Sequence, residues 1–457
     1  MDFRLDQPFE LTGRFRLPVE GAPEVRGKLT YDPSRHIRLE LEQSPYGKPK
    51  PPAGPEPIIW GVLENNVPAT LCDCYVNCWL PFAPSSVIVN SAIIGHQLSN
   101  LAMLPLTKFS LELSSLVGWT EARPIASQDV HNDGYLEGVD ISFRRPAPIT
   151  VQMSGQGIEL VIRHLMSHNS SDTEAGVKCR ADLSLEAKTP LPFAHLREAA
   201  FQIRNLFSLF YNHPASVNAV SLTHEERVLS FIGLDFFRRN SPDRHAMEML
   251  LSYKPVQEDL GAILNAWFSR TEQAKMACNI FFASMVQMPM GADYELISMT
   301  QAAESYHRSL SPGLYMDKET YSEATAEIIE RMPATICGDH RASLRARLMY
   351  GNEYSLRKRL HELLERLPDA LQRAIAAKTD FVEAVVRIRN YYTHWDQSTR
   401  PCQDIAEAAH KAAKRVRVLV VANILNDLGI TGERLTKTML RNWHYRHDLG
   451  LSEIAGS

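Results

Sequence analysis

The segment Arg387-Ile388-Arg389-Asn390-Tyr391-Tyr392-Thr393-His394-Trp395-Asp396 sets arginine, a side-chain amide and histidine within about two helical turns of one another. Each type has a use at a phosphodiester. Histidine titrates near neutrality and can take a proton from a ribose 2′-hydroxyl or return one to a leaving oxygen. Arginine stays charged and grips phosphate oxygens with a fork of N–H donors, so it can hold a substrate and stabilise developing negative charge. Asparagine can orient either neighbour through its amide. This is a set that can cut a phosphodiester without a metal. One histidine does not easily serve as base and acid on opposite sides of a phosphorus, and a symmetric dimer that juxtaposes two such faces solves that problem.

A helix over Asp380–Asp396 is the element that must position these groups. Phe381, Val385, Ile388, Tyr392 and Trp395 recur at i, i+4, i+7, i+11 and i+14, one apolar stripe for packing into a bundle. Arg387, Asn390 and His394 fall on the opposite side, within about 60° of one another, whereas Arg389 lies about 140° from His394. Arg389 therefore reaches the histidine only with its long side chain, or if the helix loosens before Thr393. Arginine and histidine on an exposed helix face are usually a solvated surface, so spacing alone does not decide between surface and site.

The rest of the chain divides by texture. From Leu11 to about Glu186 short alternating segments such as Arg35–Leu41, Ala69–Tyr75, Phe109–Leu113 and Gly157–Arg163 read as strands. Turn signals separate them, among them Asn132-Asp133-Gly134 and Asn169-Ser170-Ser171, and the pattern predicts a β-sandwich or related antiparallel fold. Ser44–Pro57, rich in proline and glycine, reads as an extended loop. At Pro190-Leu191-Pro192 the spacing becomes helical, and Met288-Pro289-Met290-Gly291, followed by Asp293 as a candidate cap, marks a second boundary. The predicted organisation is a β-rich domain over 1–190, a helical extension over 191–288 and an all-α bundle over 289–457. Helices are expected at Tyr294–Ser309, Lys318–Met332, Ser343–Tyr350, Ser355–Arg366, Asp369–Ala377, Asp380–Tyr392 and Asp404–Leu428.

Composition narrows the class. The 457 residues are 44% hydrophobic and 22% charged, an ordinary globular balance with material for two or three domains. Met1–Phe15 lacks the apolar run of a signal peptide, and no stretch of about 18 apolar residues predicts a membrane span. Seven cysteines, an odd number and mostly scattered, point to a reducing compartment, so a cytoplasmic protein is expected. Cys72, Cys74 and Cys78 form the one cysteine cluster. Zinc normally takes four ligands and no fourth is adjacent, so a small-residue core face of a strand is the stronger reading and no metal or cofactor is expected. His131, His164 and His168 read as surface histidines, the last two able to share a helical face. There is no P-loop, no dinucleotide fingerprint and no Gly-x-Ser-x-Gly, which removes support for nucleotide and serine hydrolysis. The net charge of −4 excludes a polycation, but charge is unevenly placed: about +7 from Arg341 onward against about −6 over Val286–His340. Lys414, Arg417 and Arg441, with Trp443 and Tyr445 nearby, are candidate RNA contacts, with a solvated helix as the alternative.

Arg389-Asn390-Tyr391-Tyr392-Thr393-His394 resembles the R-x4-6-H signature of HEPN domains, in the form with a polar residue directly after the arginine. Arg387 also satisfies the spacing; the pattern favours Arg389 and helical geometry favours Arg387, so Arg387 is kept as an accessory. Tyr294-Glu295-Leu296-Ile297 and Gln301–Arg308 resemble the opening helix of the HEPN domain in ApeA-like antiphage proteins, which also place a β-rich domain first. The resemblance implies a metal-independent endoribonuclease of abortive infection, acting as a homodimer or larger homo-oligomer on RNA, with tRNA a candidate. It implies catalytic roles for Arg389, Asn390 and His394, and an N-terminal domain that holds the nuclease in check until a phage-derived trigger is sensed. Glu304 can orient a motif residue across the bundle, or simply pair with Arg308 at i+4. The competing reading is a non-catalytic HEPN protein whose motif face binds a nucleotide or a protein partner.

Overall fold

The computed structural model describes residues 3–34, 37–46, 56–77, 84–171, 175–233, 243–270, 272–286, 291–376, 380–394 and 404–451. Cys78, Trp395, Asp396, Cys402, Met288-Pro289-Met290 and most of the Ser44–Pro57 loop lie outside the described residues. The chain forms two compact units, Met1–Gly261 and Ala262–Ser457.

The first unit opens with strands Phe9–Arg16 (β1), Val25–Tyr31 (β2), Ile37–Leu41 (β3), Glu56–Leu63 (β4), Pro68–Asn77 (β5), Ser85–Ile94 (β6) and Pro105–Leu113 (β7). A short helix, Leu116–Trp119 (α1), precedes Ile125–Asn132 (β8), Tyr135–Phe143 (β9), Ile149–Met153 (β10), Ile158–Ser170 (β11) and Ala175–Pro192 (β12). Helix Phe193–Tyr211 (α2), strands Val217–His224 (β13) and Arg227–Gly233 (β14), and helix Tyr253–Val256 (α3) follow, and most of helix Leu260–Phe268 (α4) already belongs to the second unit.

Every strand pairing among the described residues is antiparallel. In the order β6–β3–β2–β1–β4–β5 the strands return to β6 and close a barrel-like ring, which leaves these strands no long free edge. The alternation read in the sequence is what fills it: Ile37, Leu39 and Leu41 of β3 are buried while Arg38 and Glu40 face out. Phe15 fills the ring where a Cβ on Gly61 would stand 2.7 Å from its Cε1, so only glycine fits there. Beyond its pairing with β3, β6 uses Ser91–Ile94 to pair with β14, and the sheet continues through β13, β7, β12 and β11 to β10. Helix α2 packs on β7 and β12, with Phe193 5.2 Å from Phe231 between ring centroids. Strands β8 and β9 form a separate hairpin. Its turn has Asp133 and Gly134 at φ 48° and 82°, the two left-handed conformations of a type I′ turn, as Asn132-Asp133-Gly134 predicts.

Three local expectations are corrected. The segment 191–288, read as helical, contains β13 and β14; their connection places Glu225 and Glu226 at φ 45° and 64°, a turn geometry these residues seldom adopt and do not advertise. Asn169 and Ser170 end β11 rather than forming a turn. His164 and His168 lie on that strand, not on a helix. His168 is exposed, but His164 is buried, with Nε2 2.9 Å from Thr120 Oγ1, and burial lowers its pKa.

The second unit is all-α, as expected. Its helices are Glu272–Val286 (α5), Ala292–Leu310 (α6), Lys318–Glu330 (α7), Gly338–Tyr350 (α8), Leu356–Glu365 (α9), Asp369–Ala376 (α10), Phe381–His394 (α11), Ile405–Asp427 (α12), Gly432–Arg441 (α13) and Trp443–Asp448 (α14). Helix α12 is buried almost without interruption from Val416 to Leu425, and α6 packs against it and against α5. Asp317, Ser355 and Asp404 cap α7, α9 and α12 through their side chains. Asp293 is not a cap. It sits in the first turn of α6 behind Gly291, where its charge meets the positive end of the helix dipole.

Candidate active site

Helix α11 runs unbroken to His394. Phe381, Val382, Val385, Val386, Ile388 and Tyr391 are its buried residues, because α6, α9, α10 and α12 all pack against it. The buried side is therefore wider than the predicted stripe, and Tyr391 takes the place given to Tyr392, which is half-buried. Arg387, Asn390, Thr393 and His394 are exposed. With the helix continuous, Arg387 and His394 align within about 20°, and Asn390 lies between them along the axis.

Arg389 is half-buried on the flank, yet its guanidinium turns toward the open face: Nη1 donates to Asn390 Oδ1 at 3.1 Å. Thr393 Oγ1 donates to the Arg389 carbonyl at 2.9 Å, a back-bond that holds the last turn together. Among the described residues, Arg387 and His394 have no hydrogen-bond or ion-pair partner. The start of the helix is tied to α9 by Arg357 and Glu383 at 2.8 Å. The result is a helix anchored on one side that offers two guanidinium groups, an amide and an imidazole on the other.

The accessory candidates are placed differently. Glu304 pairs with Arg308 at 3.0 Å, and Arg308 also reaches Glu353 at 2.7 Å, so Glu304 belongs to a local ion-pair chain. Lys414 is half-buried and bonded to Asp448 at 3.2 Å, which joins α12 to α14 and makes it a poor phosphate contact. Arg417 is half-buried, whereas Arg441 is exposed beside Trp443, whose ring stacks on His444 at 3.7 Å between centroids. Cys72 and Cys74 are buried on β5, and burial pushes the Cys72 thiol up to about 12 and the Cys74 thiol up as well. Among the described residues no group of three or more His, Cys, Asp or Glu is placed to hold a metal ion, and Cys78, the third cysteine of the cluster, lies outside them.

One cluster escaped sequence reasoning. His307 of α6 lies 2.7 Å through Nε2 from Glu362 Oε2 and 3.0 Å through Nδ1 from Arg359 Nη1, both on α9. Arg359 also donates from Nε to the Tyr354 carbonyl at 3.1 Å. A guanidinium only donates, so Nδ1 of His307 must accept and its Nε2–H must point at Glu362. Burial, reinforced by Arg359, lowers the His307 pKa. The partners are 52 and 55 residues away in sequence, and no short motif marks them.

With this geometry in place, the comparisons identify the class. Residues 10–267 match the model of ApeA N-terminal domain 1, and residues 297–434, which include all of α11, match the Apea-like HEPN model. The chain belongs to the ApeA-like HEPN proteins, an antiphage family whose HEPN domain is of a generally ribonucleolytic kind. No curated protein and no solved structure matches the chain. Among the described residues no helix is long and apolar enough to cross a membrane.

Proposed function

We propose that this protein is a cytoplasmic antiphage endoribonuclease that cleaves RNA without a metal, at a composite site formed by two copies of α11. The observation that supports this reading best is the open face of that helix, where Arg387 and His394 stand unpaired among the described residues, opposite a side that is buried. His394 of one copy takes the proton of a ribose 2′-hydroxyl; the hydroxyl oxygen attacks the adjacent phosphorus, and the bond to the 5′-oxygen breaks. His394 of the second copy returns a proton to that leaving oxygen, so the products are a cyclic phosphate end and a free 5′-hydroxyl. Arg389, oriented by Asn390, clamps the phosphate, and Arg387 adds charge stabilisation on the histidine side. The N-terminal unit restrains this activity until a phage-derived trigger binds.

The test is end-mapping of cellular RNA after induction with phage present, comparing wild type with Arg389→Ala and His394→Ala. Wild type should arrest growth and yield cyclic-phosphate ends that persist in EDTA, and both variants should yield neither. If wild type and His394→Ala are equally harmless and neither cuts RNA, the motif face binds a nucleotide or a protein partner and the nuclease reading fails.

A further inference from the structure

The last two helices carry a surface that the cleavage chemistry does not use. On α13, Arg434, Lys437 and Arg441 recur at i, i+3 and i+7, within about 60° of one another and over about 10 Å of helix axis. Leu435 and Met439, the buried residues of α13, lie on the other side. Arg434 is half-buried, and Lys437 and Arg441 are exposed. Glu433 borders the row and pairs with Lys437 at 2.6 Å, but both side chains are largely in water, where such a pair is weak and a phosphate can replace it. Arg441 has no hydrogen-bond or ion-pair partner among the described residues. Between Gly432 and Asp448 four cations, Arg434, Lys437, Arg441 and Arg446, stand against two acids, and Asp448 is already tied to Lys414 at 3.2 Å.

The row ends at an aromatic ring. Asn442 stops α13 and caps α14 by accepting from Tyr445 N at 3.3 Å, and Asn442 and Tyr445 are both buried. The backbone of Trp443, between them, is therefore held in place. Its indole is 57% exposed, and Trp443 is the only exposed tryptophan among the described residues. His444 stacks on the ring, 3.7 Å between centroids and 29° from parallel, so one face is covered and the other is open. An indole that served packing would be enclosed, as Trp267 of the same unit is at 1% exposure.

We propose that this surface binds a single-stranded segment of RNA, with one base stacked on the open face of Trp443 and the neighbouring phosphates on Arg441, Lys437 and Arg434. The choice of RNA rests on the ribonuclease reading, and the surface adds the class of RNA: a strand with an unpaired base. A base inside a duplex has both faces covered by its neighbours and offers none to an indole. Every base has a π face, so the platform accepts strands of different sequence, and the cations add an affinity that falls with salt. Trp443 and Arg441 hold the strand and take no part in proton transfer.

Fluorescence anisotropy tests it, with the full-length His394→Ala chain as parent and two probes: a short unstructured RNA, and the duplex that RNA forms with its complement. Trp443→Ala should weaken single-strand binding about five- to 150-fold and affect the duplex far less. Trp443→Phe should recover most of the loss, because a phenyl ring also stacks. Arg441→Ala should weaken both probes and lower the slope of log affinity against log salt by about 0.7 for the single strand, whereas Trp443→Ala should leave that slope unchanged. Melting temperatures should not move, because both side chains are exposed. Unchanged single-strand affinity in Trp443→Ala overturns the proposal and leaves the ribonuclease reading, which end-mapping decides, standing. An equal loss for both probes also overturns it, since the ring would then not be reading an unpaired base. So does a parent chain that binds neither probe, and a sedimentation shift on Trp443→Ala would then assign the surface to a second copy of the chain.

Discussion

Two arginine–histidine pairs occupy the helical unit, and the chain treats them in opposite ways. His307 and Arg359 are almost fully buried, joined to each other and to Glu362 and the Tyr354 carbonyl. Arg387 and His394 are exposed and unpaired among the described residues. The first pair has its tautomer fixed by Arg359 and its protonation disfavoured by burial, and it clasps α6 to α9. The second keeps its donors and acceptors free and stands on a helix made rigid by its buried side. Residue type does not distinguish a clasp from a site. The distinction lies in whether the polar groups are already satisfied.

Exchanging the fates of the two histidines gives the largest effects. His394→Ala should lower RNA cleavage by about two to four orders of magnitude, the usual reach of a general acid–base group, with no change in melting temperature. Arg359→Met should do the reverse. It leaves His307 Nδ1 and the Tyr354 carbonyl without their buried donor, and an unsatisfied buried group costs about 1–3 kcal/mol, which thermal or urea unfolding should report. Cleavage per folded molecule should persist. If Arg359→Met abolishes cleavage while the fold survives, the clasp is part of the site and the comparison collapses.

How much of this was legible in the sequence follows from the range of each interaction. The alternation of Ile37–Leu41 and the Asp133-Gly134 turn are local, and the structure uses them as read, whereas the cap singled out in the sequence, Asp293, gives way to Gly291. The motif helix was legible because its buried residues repeat at helical spacing, although neighbours on several sides widened that face to Val382, Val386 and Tyr391. Strands β13 and β14 were hidden because their value comes from pairing with β7 and β6, more than a hundred residues earlier, and because Glu225-Glu226 makes a turn without glycine or asparagine. The clasp was invisible for the same reason, as no local pattern links His307 to Arg359. The spacing of Arg387, Asn390 and His394 was fully readable, and their openness was not.

Acid should sharpen the contrast at a smaller scale. The pKa of His307 is lowered in the fold by burial, with Arg359 and Arg366 opposing its protonation and Glu362 favouring it, whereas an unfolded histidine titrates near about 6.5. A histidine with a lowered folded pKa contributes stability that is present above its unfolded value and lost as the pH falls below it. The helical unit should therefore melt lower at pH 5.5 than at pH 7.5. His307→Gln should flatten that slope, since an amide can donate to Glu362 and accept from Arg359 without titrating. A slope identical to wild type would move the acid sensitivity elsewhere.

Glu304→Ala should have the smallest effect, and it tests the boundary between the two kinds of arginine environment. Glu304 bonds Arg308 across one helical turn with both side chains partly in water, and Arg308 keeps Glu353 at 2.7 Å when Glu304 is gone. Pairs of this kind contribute about 0–1 kcal/mol, so unfolding should shift by no more than that and cleavage should stay at the wild-type rate. A large loss of cleavage at unchanged stability would instead make Glu304 a positioning residue for the motif helix, which α6 touches directly. Restoration by Glu304→Gln would then show that it acts by hydrogen bonding rather than by charge, and the division between satisfied and open polar groups would have to be redrawn to include α6.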